Sequence, residues 1–140
     1  MSLTKQEKQS LIDLANTARQ RAYAPYSKYP VGSSLRTKTG RVFTGVNVEN
    51  AAYPQTMCAE RIAIFKAVSE GETEFEVITV VTDNGGSPCG GCRQVMAEFG
   101  LDALVILADG KGRVVEEITV KDLLPGAFTP EQLKTGLSGD

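Results

Sequence analysis

Residues 75–118 read FEVITVVTDNGGSPCGGCRQVMAEFGLDALVILADGKGRVVEEI, and this stretch sets the expected fold. Phe75 to Thr82 is rich in β-branched residues and apolar on both faces, as a central strand is. Asp83-Asn84-Gly85-Gly86-Ser87 interrupts it as a loop. Pro88 suits the first turn of a helix, which Gly100 ends. Ala103 to Ala108 is a second buried strand, and Asp109-Gly110-Lys111-Gly112 turns the chain straight into Arg113 to Ile118. No helix separates these last two strands, so they are expected to pair antiparallel as a hairpin.

Working outward, Thr4-x-x-Glu7 is a capping box. Leu11, Leu14, Ala15, Ala18 and Ala22 follow at helical spacing, which predicts a first helix to about Ala22, ended by Ala24-Pro25-Tyr26-Ser27. Val31 to Thr37 and Arg41 to Val48 read as strands around Lys38-Thr39-Gly40. A helix is expected from Cys58 through Ile62, Ala63 and Ala67 to a stop at Gly71. The order is αββαβαββ, then short C-terminal helices. It predicts one α/β domain over residues 1–140, a three-layer α/β/α sandwich with a mixed five-stranded sheet.

The bulk numbers narrow the function. Net charge is −2 and no block of Lys and Arg is present, which argues against a nucleic-acid partner. No apolar run is long enough to cross a membrane, and Met1-Ser2-Leu3-Thr4-Lys5 has no signal-peptide core. A cytoplasmic location is therefore expected. The chain has no histidine, which excludes His-centred triads and leaves a carboxylate, Lys, Tyr or Cys as any general base. Its three cysteines cannot all pair as disulfides. They are free thiols in a reducing compartment or they share a metal.

Cys89-Gly90-Gly91-Cys92 puts two sulfurs on one side of a helix start. Alone it fits a redox pair, half of a structural zinc site, or two buried thiols. Cys58-Ala59-Glu60 adds a third thiol at the start of another helix. A structural zinc usually takes four protein ligands, and only three soft ones exist here. An open fourth position, the arrangement of a catalytic zinc, is the natural reading. In mid-helix, residues two apart point roughly 200° apart. Cys58 and Glu60 can therefore serve one site only if the metal lies off the helix N-terminus, with Glu60 beside the bound water. The bland alternative is that Glu60 is an acid favoured in a first helical turn. Three thiolates on Zn²⁺ leave a net negative centre that needs positive compensation. Two helix N-termini, Arg61 and, more weakly, Arg93 could supply it; a surface salt bridge is the alternative for each arginine, and for Arg61 the role beside the sulfurs is the favoured reading.

Cys58-Ala59-Glu60-Arg61 with Pro88-Cys89-x-x-Cys92-Arg93-Gln94 resembles the small homotetrameric zinc-dependent cytidine deaminases, whose signature is well known. Tyr23 to Lys28, Gly45 to Tyr53 and Leu123 to Phe128 also resemble segments of that family, in the same order. The resemblance implies one zinc ion on Cys58, Cys89 and Cys92, with Glu60 as proton shuttle. It implies backbone contacts from Ala59 to the pyrimidine edge and a ribose-binding pair in Asn47 and Glu49. Tyr29 falls where the family commonly has a Phe packed on the base. Phe128 and Tyr53 are implied to reach a neighbouring subunit's pocket, though core packing is an equal alternative for each aromatic.

The activity implied is deamination of free cytidine, and of 2′-deoxycytidine, to the uracil nucleoside and ammonia in pyrimidine salvage. Glu49 would accept hydrogen bonds from a sugar hydroxyl and repel a phosphate. Two other readings stand beside it: a deaminase of a modified cytosine nucleoside of the blasticidin type, and a non-catalytic zinc- or RNA-binding module.

Overall fold

Helix α1, Lys5–Arg19, is started by its own sequence. The Thr4 hydroxyl accepts from the Glu7 backbone N–H at 3.0 Å, and the Glu7 carboxylate accepts from the Thr4 N–H at 2.9 Å. Leu11, Ile12, Ala15 and Ala18 form its buried stripe. The helix stops three residues short of the expected Ala22 for a tertiary reason. The Tyr23 N–H donates to the Asn47 carbonyl and the Tyr23 carbonyl accepts from the Glu49 N–H. That strand-like pairing draws the chain out of the helix. The computed structural model describes residues 3–138, so the outermost ends of the expected 1–140 domain lie outside the described residues.

The sheet contains β1 (Gly32–Thr37), β2 (Val42–Val46), β3 (Phe75–Val81), β4 (Leu104–Ala108) and β5 (Val114–Thr119). Its spatial order is β2-β1-β3-β4-β5. β3 and β4 pair parallel, and the other neighbours pair antiparallel, including the β4–β5 hairpin. The parallel pair needs a crossover, and α3 (Gly90–Phe99) supplies it.

Side-chain alternation divides the core between the two faces. Val77, Val81, Ile106 and Ala108 pack with α1. Leu35, Ile78, Val80, Val105 and Leu107 pack with α2 (Ala59–Ser69) and α3 on the opposite face. Two buried hydroxyls interrupt the apolar α1 face. Ser34 Oγ donates to the Leu11 carbonyl at 2.7 Å and meets Thr79 Oγ1, so both are satisfied.

Cys58 is the N-cap of α2 and Cys89 the N-cap of α3. Pro88 therefore precedes the cap and does not occupy the first helical turn. Cys89 takes an extended conformation, φ −67° and ψ 166°, and helical geometry starts only at Gly90. The strands differ from their expected limits by one or two residues. The short helix Tyr53–Gln55 has no counterpart in the apolar spacing. Helices α4 (Val120–Leu123) and α5 (Pro130–Ser138) follow the sheet.

The position of α2 depends on Gly45 in β2. A Cβ there would lie 2.5 Å from the Ala59 carbonyl oxygen and 2.6 Å from the Ala63 nitrogen. Both are backbone atoms of α2, which cannot swing aside as a long side chain can. Gly45→Ala is expected to destabilise the fold by about 1–3 kcal/mol, measured as a lower urea midpoint with an unchanged slope. An unchanged midpoint would show that α2 has room to shift.

Candidate metal centre

The N-termini of α2 and α3 meet at the ends of β1, β2 and β3, and the three cysteines gather there. Their sulfurs lie within 4.8 Å of one another, with Cys58 Sγ and Cys89 Sγ 3.9 Å apart. Three sulfurs bound to one tetrahedral zinc at about 2.3 Å would sit about 3.8 Å apart. The donor set and spacing therefore fit zinc. Among the described residues this cluster contains no fourth ligand. All three cysteines are free of disulfides; Cys92 is buried, Cys58 half-buried and Cys89 exposed.

Positive compensation converges from three sources. Cys58 and Cys89 cap α2 and α3 without a side-chain hydrogen bond to either helix, so the partial positive charge of both N-termini faces the sulfurs. Arg61, one turn into α2, directs Nη2 toward Cys58 Sγ at 3.4 Å and Cys89 Sγ at 3.7 Å. Its Nε is buried without a hydrogen-bond partner. Gly91 gives the guanidinium room, since a Cβ there would stand 3.1 Å from Arg61 Nη2 and move it by a few tenths of an ångström. A hydrogen bond from the Cys92 thiol, together with the charge of Arg61, lowers the Cys58 pKa to about 5. The same sharing of one proton, together with burial, pushes the Cys92 thiol up.

Glu60 occupies the second position of α2, with a side chain only 5% exposed. Burial raises its pKa above the usual carboxylate range, and the neighbouring Cys58 thiolate acts in the same direction. Its carboxylate lies outside the three-sulfur cluster but lines the cavity beside it.

That cavity, of ≈ 210 Å³, is lined by Tyr29, Asn47, Ala59, Glu60, Thr82 and Gly86 as well as Cys58 and Cys89. A second cavity of ≈ 400 Å³ shares Thr56 with it and is bordered by Tyr26, Ser27, Glu49 and Tyr53. Ligand sites usually occupy about 300–1,000 Å³, so the inner cavity fits only part of a nucleoside. The structure brings Tyr29, Asn47, Ala59 and Glu60 to the inner cavity and Glu49 and Tyr53 to the outer one. It does not bring Phe128 to either, and that ring is 55% exposed.

Asn47 and Glu49 also hold the wall together. Asn47 donates from Nδ2 to the Tyr29 carbonyl and accepts from the Val31 N–H at Oδ1. Glu49 Oε1 accepts from the Tyr26 and Ser27 N–H groups, and Oε2 accepts from the Ser27 hydroxyl. The Ser27 hydroxyl leads the set of hydrogen bonds that holds the Glu49 carboxylate below its ordinary pKa.

Arg93 does not approach the sulfurs. Its three donor groups go to the Pro88 carbonyl at 2.9 Å, the Leu123 carbonyl at 2.8 Å and Ser87 Oγ at 2.6 Å. It binds the segment before Cys89 to the end of α4. Adjacency to Cys92 is what links this arginine to the metal charge in the sequence. No local signal there shows that a helix thirty residues away presents it with a free carbonyl.

Comparison with known proteins agrees with this geometry. The family model of the cytidine and deoxycytidylate deaminase zinc-binding region matches residues 5–108. A cytidine deaminase of Sporosarcina psychrophila is 51% identical over 128 residues, covering 89% of this chain and 93% of that protein. The crystal structure of a Burkholderia pseudomallei cytidine deaminase superposes with a TM-score of 0.82 at 45% identity, covering 90% of this chain and 100% of that one. A Bacillus cereus blasticidin-S deaminase is 32% identical, over 84% of this chain and 91% of that protein.

Arg61→Ala is expected to weaken zinc retention about 10- to 100-fold, read as faster transfer to a chromophoric chelator. Equal release from variant and parent would remove Arg61 from the role of charge partner to the sulfurs.

Proposed function

We propose, for a chain that belongs to the zinc-binding cytidine deaminase family, the hydrolysis of free cytidine and 2′-deoxycytidine to uridine or deoxyuridine and ammonia. The observation that carries this reading is the cluster of three sulfurs within 4.8 Å of one another, next to a buried carboxylate in a cavity.

Cys58, Cys89 and Cys92 would hold a zinc ion, whose chemistry there would be to make a water acidic enough to lose its proton near neutral pH. Glu60 takes that proton and delivers it to ring N3, which makes C4 more electrophilic. Oxygen from the water joins C4. Glu60, ionised again, then takes the proton of the new C4 hydroxyl and passes it to the exocyclic amine; the C4–N bond breaks, ammonia leaves and the C4 oxygen remains as the carbonyl. A carboxyl whose pKa is raised by burial suits this work, because it must both accept and release a proton near the working pH.

Asn47 and Glu49 bind the ribose hydroxyls, and the Ala59 backbone meets the pyrimidine edge. The ionised Glu49 disfavours a phosphate on the sugar, so a nucleoside is preferred to a nucleotide or a strand. Tyr53, 70% exposed, and Phe128 complete the pocket of a neighbouring subunit in a homotetramer. The exposed Tyr53 ring at the edge of the outer cavity favours that arrangement, and the Phe128 ring, away from both cavities, is exposed and free to meet a second subunit. Three free thiols fit the reducing cytoplasm, and pyrimidine salvage is the natural setting for the reaction. No helix among the described residues is long and apolar enough to cross a membrane. The blasticidin-type reading has the weaker support, given the more distant relative of that kind.

The assay follows ultraviolet absorbance and ammonia on addition of cytidine, with zinc measured in the same sample. Turnover of cytidine with rejection of its 3′-phosphate is expected. A zinc-loaded protein that leaves cytidine intact would overturn the reading, and binding of RNA without turnover would replace it with a binding module. Glu60→Gln is expected to keep its zinc and lose at least about a hundredfold in kcat; near-parental kcat would exclude the proton-shuttle role.

A further inference from the structure

Two segments face each other across the inner cavity, the loop that carries Tyr29 and the loop from Asp83 to Ser87 between β3 and α3. One side-chain hydrogen bond joins them. Tyr29 Oη donates to Asn84 Oδ1 at 2.7 Å. The Thr82 hydroxyl reaches the same oxygen at 3.4 Å and accepts from the Gly86 N–H at 2.7 Å. Gly86 leaves the space for this contact, since a Cβ there would lie 2.6 Å from Tyr29 Oη.

Both ends of the bridge are anchored. The Tyr29 N–H donates to Ser27 Oγ and its carbonyl accepts from Asn47 Nδ2, each at 3.0 Å. Lys28, directly before Tyr29, holds the left-handed conformation at φ 57°, unusual for a residue with a side chain and kept in place only by its surroundings. On the opposite loop, Arg19 holds Asp83 at 3.1 Å, and Arg93 holds Ser87 and the Pro88 carbonyl. The two ends of the loop are thus tied to the protein body, and its middle is tied to Tyr29.

We propose that the Tyr29 hydroxyl and the Asn84 side chain form a latch that fixes the width of the substrate cavity and makes Tyr29 a positioning residue for substrate binding. The proposal rests on the deaminase reading above. A latched wall needs no ordering when the base enters. An unlatched wall must be ordered by the substrate, which weakens binding. The latch oxygens contact neither the sulfurs nor Glu60, so the effect falls on KM and leaves the chemical step alone.

Tyr29→Phe in the zinc-loaded protein is expected to raise the KM for cytidine about three- to tenfold, the range one neutral hydrogen bond covers. The change in kcat stays within about twofold on the same grounds. Asn84→Leu reproduces this loss. The double variant is no worse than either single one, because both remove the same contact. Asn84→Asp keeps the acceptor and restores KM toward the parental value. An unchanged KM in Tyr29→Phe, or additive losses in the double variant, would overturn the latch. Hydrogen–deuterium exchange over residues 83–87 gives a readout independent of substrate and is expected to speed up in Tyr29→Phe. Unchanged exchange there would refute the latch even in an active enzyme. Faster exchange in Tyr29→Phe, with a parent protein inert toward cytidine, would support the latch while the deaminase reading failed.

Discussion

Three sulfurs brought within reach of one ion create a concentration of negative charge, and the surrounding structure answers it. Three thiolates outweigh the charge of Zn²⁺, and an excess of negative charge resists ionisation of a water held there. Two helix N-termini and the Arg61 guanidinium face the cluster. Each contribution is modest by itself, with a helix terminus equivalent to roughly half an elementary charge. Together they offset the excess, which explains why two cysteines sit at N-caps and not within helices.

That requirement constrains the fold around the centre. The two N-termini must point at one place although α2 and α3 follow different strands. The parallel β3–β4 pair places the start of α3 beyond the end of β3, and Gly45 allows α2 to lie against β2 at backbone contact. Arg93 then binds the turn before Cys89 to the far end of the chain through Pro88 and Leu123. The metal ligands are therefore held by packing and hydrogen bonds that do not involve the ion.

The cavity wall shows the same economy of parts. Asn47 and Glu49, proposed to meet the sugar, also fix the loop that carries Tyr29. A side chain with both duties is preorganised for its ligand, because the bonds that immobilise it exist before the ligand arrives. The inner cavity is small and continues into a wider outer one bordered by Glu49 and Tyr53. This division suits a ligand with a flat ring and an attached sugar.

The metal ligands and the sheet are legible in the chain because both rest on local spacing. Cys89-x-x-Cys92 at a helix start, Cys58-x-Glu60 at another, and the absence of histidine restrict the chemistry by residue type alone. Buried strands and the Thr4–Glu7 cap follow from alternation and short-range hydrogen bonding. Other features depend on segments distant in sequence. Tyr23 leaves α1 because it pairs with residues near Val48, and Arg93 turns from the metal because Leu123 offers a carbonyl. Tyr29 meets Asn84 across the cavity for the same kind of reason. Residue identity and spacing determined which groups could bind a metal and carry a proton. Only tertiary packing decided which hydrogen-bond donor met which acceptor, since that choice depends on partners that spacing along the chain does not reveal.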